Sequence, residues 1–63
     1  MTREARRDLA AMKLRIAENG FHWAAKALED GYPLEAVSEQ ITLAAIQGEE
    51  AARIVDQLKA GVS

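Results

Sequence analysis

The chain has 63 residues, a formal net charge of −2 and no cysteine. It therefore holds at most one small domain, stapled by neither a disulfide nor a thiolate zinc site. Its single histidine cannot build a histidine metal cage, and the weak negative charge gives no general pull toward nucleic acid. Chains this short usually need a staple, and oligomerisation is the one left once disulfides and metals are removed.

At the start, Met1-Thr2-Arg3-Glu4-Ala5-Arg6-Arg7-Asp8 is basic but no long apolar run follows. A secretory signal is not expected there, and no stretch approaches the roughly 18 apolar residues of a membrane span. Cysteine-free composition fits a reducing, cytoplasmic compartment. Thirteen alanines favour close-packed helices over strands.

Thr2 suits an N-cap, and a first helix is expected over about 3–30. It carries two apolar stripes at helical spacing. Leu14, Ala17, Phe21, Ala24 and Leu28 form one. Leu9, Met12 and Ile16 form the other, rotated around the axis, with Trp23 further along. The first stripe can pack on a second helix. The second has no partner inside a two-helix hairpin, so Leu9, Met12 and Ile16 are the expected contact with a second copy.

Asp30-Gly31-Tyr32-Pro33 reads as a compact reversal. Gly31 supplies a left-handed C-cap and Pro33 the first position of the next helix, which leaves a turn at 31–32. The second helix is expected over about 33–60. Along it Leu34, Val37, Ile41, Ala44, Gly48, Ala51, Val55, Leu58 and Val62 alternate three and four apart, a heptad seam of about four heptads. Two helices joined by so short a loop are antiparallel neighbours. The expected fold is all-α, an antiparallel helical hairpin over residues 1–63 that dimerises into a four-helix bundle.

Gly20 and Gly48 are either helix breaks or points of close approach. Breaks would give four short helices, but the seam stays in phase across Gly48. In the hairpin Phe21 falls level with Ala44 and Gly48, a ring against two minimal side chains. Residues 1–16 are net positive and the remainder net negative. The hairpin then has a basic open end and an acidic turn end, and two copies should associate head to tail.

Candidate chemistry is sparse. Glu18 and His22 lie four apart but bring no third ligand. Ser38 and Ser63 have no histidine and acid arranged around them, and the four glycines are scattered. No metal, cofactor or catalysis is expected. Residues 27–38 loosely resemble a helix-turn-helix turn, yet the would-be recognition helix offers Glu35, Glu39 and Gln40 to the groove.

The expected function is a small non-catalytic regulatory or adaptor protein that binds another protein as a homodimer. Trp23, His22 and Tyr32 near the turn, with Leu43 and Ile46 away from the seam, are the candidate contacts. One alternative is a nucleic-acid-binding regulator using Arg3, Arg6, Arg7, Lys13 and Arg15. Another is a purely structural oligomerisation module.

Overall fold

The structure is a computed structural model that describes residues 2–61. Its regular elements are two helices, α1 (Arg3–Glu29) and α2 (Leu34–Lys59). They lie side by side and antiparallel in a molecule 45 × 14 × 14 Å across.

Helix α1 begins where Thr2 accepts hydrogen bonds. Its Oγ1 accepts from the Ala5 N–H and its carbonyl from the Arg6 N–H, both at 3.0 Å. It ends in a Schellman turn: the Tyr32 N–H donates to the Ala27 carbonyl at 2.9 Å and the Gly31 N–H to that of Leu28 at 3.3 Å. Gly31 holds φ at 80°, where a side chain would collide with its own backbone. Pro33 stands one place earlier than expected. It is the N-cap of α2, with an extended ψ of 133°, and its carbonyl already receives the Ala36 and Val37 N–H groups.

Both helices run unbroken through their interior glycines. The packing seam is built from small residues. Helix α1 buries Ala10, Ala17, Gly20, Ala24 and Ala27, and α2 buries Val37, Ala44, Ala51 and Leu58. Seven-residue steps relate them, so this is a heptad seam whose knobs are mostly methyl groups. Small knobs let the helices approach closely. A Cβ added at Gly20 would stand 2.9 Å from the Ala44 Cβ, inside any normal contact.

This arrangement corrects the packing expected for both helices. Val37, Ala44, Ala51 and Leu58 are buried as the seam requires, but the alternate positions Leu34, Ile41 and Val55 are 72%, 42% and 42% exposed. Val62 lies outside the described residues. The second column of the true seam is one residue earlier, at Gln40, Gln47 and Ile54, all half-buried. One residue is about 100° around a helix. In α1 the stripe of Leu14, Phe21 and Leu28 is likewise turned off the seam, and only its alanines, Ala17 and Ala24, are buried. Gly20 takes the place against Ala44 that was expected for the Phe21 ring. Around Gly48 nothing lies within 4 Å of an added Cβ, so it is neither a break nor an internal contact.

Candidate functional site

A seam of alanines leaves the large apolar side chains outside. Helical geometry sorts them onto the two broad sides of the plank. In α1 the seam columns are 10/17/24 and 13/20/27, so 14/21/28 flanks it on one side and 9/16/23 on the other. In α2 the corresponding flanks are 34/41/48/55 and 36/43/50. In an antiparallel pair, flanks that stand in the same place relative to the seam meet on the same side. The grooves agree with this sorting. Leu14, Val55 and Leu58 line one together, and Ile16, Leu43 and Ile46 line another beside Gly20 and Ala44.

The first side carries Leu14, Phe21, Leu28, Leu34, Ile41 and Val55, all exposed. Its margins hold Ala11, Glu18 and Ala25 on α1 and Ser38, Ala45, Ala52 and Lys59 on α2, and Gly48 opens a notch near its middle. Arg7 is the one charged residue in its two central columns, at the open end. The apolar periodicity predicts these six side chains inside the hairpin. The signal for the true seam is the alanine heptad Ala10, Ala17 and Ala24, interleaved by Gly20 and Ala27.

The second side carries Ile16, Trp23 and Leu43, with Met12 and Ile46 toward its margins, all exposed, and Leu9 half-buried. The structure thus brings the expected self-contact residues Leu9 and Ile16 onto the same side as the expected partner contacts Trp23, Leu43 and Ile46. Tyr32 meets Trp23 edge to face, with ring centres 5.8 Å apart and planes at 83°. Together with His22 and Lys26 they line a groove at the turn end. This side is chemically mixed, because Lys13 and Glu50 pair across it at 3.0 Å.

Three of the five candidate phosphate contacts are engaged within the hairpin. The Arg3 guanidinium donates to the Leu58 carbonyl at 3.0 Å, at the negative end of the α2 dipole. Arg6 donates to Gln57 Oε1, and Lys13 pairs with Glu50. Arg7 and Arg15 stay exposed. Among the described residues, no three histidines or acids are grouped so as to hold a metal ion. No described helix is long and apolar enough to cross a membrane.

No known protein family, curated protein or solved structure matches the chain.

Proposed function

We propose that this chain acts by binding, without chemistry of its own, as a small regulatory or adaptor protein that works as a homodimer. The observation that supports this reading is the presence of two opposed apolar sides on one narrow plank. Contiguous exposed apolar patches on a small protein mark interaction sites. Two of them call for two occupants, a second copy and a different protein.

The side bearing Trp23 suits the different protein. Interfaces that form and dissolve are no more apolar than ordinary surface, and they are anchored by aromatic residues. The Trp23–Tyr32 pair offers such an anchor, and Lys13, Glu50 and Lys26 give the polar surroundings. A phosphate-binding role for the basic end has weaker support, since Arg3, Arg6 and Lys13 already hold α1 to α2.

The test compares affinity capture by wild type with capture by Trp23→Ser and by the double variant Leu43→Lys/Ile46→Lys, each checked for helical circular dichroism. A stoichiometric partner retained by wild type and lost by both folded variants is the expected result. A partner held equally by all three overturns this assignment. A chain that captures nothing and only self-associates would be a structural module. Titration with duplex and single-stranded nucleic acid completes the set. Binding that falls steeply with salt and vanishes in Arg7→Ala/Arg15→Ala would favour the basic end instead.

A further inference from the structure

We infer that the Phe21 side of the plank is where two copies mate, antiparallel, with Gly48 near the two-fold axis. This inference rests on the homodimer reading and specifies its surface and orientation.

The exposed area fits a half-interface. The chain exposes 4744 Å², whereas a compact monomer of this length exposes about 4,000 Å². The excess, about 700 Å², is close to the roughly 800 Å² that each partner gives to a standard interface. Of the two sides, this one has the composition of a permanent contact. Its centre is aliphatic and aromatic apart from Arg7 at the open end, four alanines make up most of its margins beside Glu18, Ser38 and Lys59, and among the described residues no ion pair crosses it.

Register follows from spacing. Gly20 meets Ala44, so Gly48 stands level with about residue 16 of α1. That is within about 2 Å along the axis of the point midway between Leu14 and Phe21. It is also near the middle of both helices. A two-fold axis there, lying across the plank, sets Leu14 of each copy against Phe21 of the other. The same operation sets Gly48 of each copy level with Ala45 of the other, so small residues meet beside the axis and the two α2 helices can approach there. Only glycine leaves that space, and the hairpin itself makes no use of it.

Charge selects the same orientation. The open half, residues 3–16 and 47–61, holds seven cations and five acids, whereas residues 17–46 hold one cation and five acids. An antiparallel mate lays the basic half of each copy on the acidic half of the other, and Arg7 comes level with Leu28 and Glu29. A parallel mate would stack like on like.

The experiment is sedimentation equilibrium on the full chain and three variants, with circular dichroism as the check on folding. Gly48→Leu fills open space in the hairpin, so it should weaken self-association at least tenfold, with full helical circular dichroism regained as its concentration is raised. Phe21→Asp should do the same, and Ile16→Asp, on the opposite side, should leave association unchanged. If Phe21→Asp fails to fold, Gly48→Leu decides. Orientation is read from an equimolar mixture of Arg7→Cys and Leu28→Cys in this cysteine-free chain, where the mixed disulfide should dominate. A dimer that survives Gly48→Leu and Phe21→Asp but is lost in Ile16→Asp overturns the surface and leaves the homodimer standing. Position 7 cross-linking chiefly to itself overturns the orientation. A wild-type monomer at every concentration overturns both this inference and the homodimer.

Discussion

Gly20 and Gly48 are the same residue in the same kind of helix, yet the structure gives them opposite roles. At Gly20 an added methyl meets the Ala44 Cβ at 2.9 Å. Overpacking of this kind costs about 1–3 kcal/mol, and the gain in helix propensity offsets about 1 kcal/mol of it. Gly20→Ala is therefore expected to destabilise by about 1 kcal/mol, as a lower denaturant midpoint. The exchange Gly20→Ala/Ala44→Gly restores one methyl and one gap at the contact, so it should return the midpoint to near wild type. Two independent losses that simply add would show that the close approach is not what matters at this site. Gly31 is different again: its φ of 80° costs any other residue except asparagine about 1–2 kcal/mol. Gly31→Ala should lower stability by that amount, and Gly31→Asn by less. Sequence alone showed that these glycines were costly, but not which of them faced a neighbour.

At the scale of the helix, the ends were legible and the faces only partly so. Thr2, Gly31 and Pro33 act through local backbone chemistry, which depends on few neighbours, and their positions mark the boundaries directly. Thr2→Ala removes the acceptor for the Ala5 N–H and should cost about 1 kcal/mol with an unchanged denaturant slope. The faces were harder because each helix carries apolar columns on more than one face. Leu14, Phe21 and Leu28 outweigh Ala10, Ala17 and Ala24 on any hydrophobicity count, so periodicity alone points to the larger stripe as the buried one. Packing chose the smaller. Alanine and glycine allow the two backbones to approach, and the bulky columns are then wedged out to either side. The second column of α2 was misplaced for the same reason, with Ile41 and Val55 preferred over Gln40 and Gln47. The exposure of Trp23, Leu43 and Ile46 was legible because they do not fit the seam. Their sharing of a side with Leu9 and Ile16 became visible only once the true seam fixed the rotation of both helices.

For the whole molecule, the question is whether a seam of methyl groups can hold 63 residues folded. The buried apolar side chains are six alanines, Val37 and Leu58. A CH₂ group contributes about 0.8 kcal/mol when buried, whereas ordering each residue costs about 1–2 kcal/mol. Most of the large apolar groups that would normally meet that cost are still in water, and burying them against a second copy is the available remedy. Folding and association should therefore be linked, and the melting temperature should rise with protein concentration. Unfolding a dimer of this size carries an entropy near 2.1 cal/mol/K per residue, so the rise should be roughly 5 °C for each tenfold increase. Gly48 supplies the sign that separates the alternatives. In a solitary hairpin Gly48→Ala replaces a helical glycine in open space and should stabilise by about 1 kcal/mol at every concentration. In the antiparallel dimer the same methyl intrudes where Gly48 of each copy meets Ala45 of the other beside the axis, so the melting temperature should fall at high concentration. Thermal unfolding of wild type and Gly48→Ala over a hundredfold concentration range distinguishes the two. A melting temperature independent of concentration, raised by Gly48→Ala throughout, would mean that the alanine seam is sufficient by itself and that both apolar sides are free to bind other proteins.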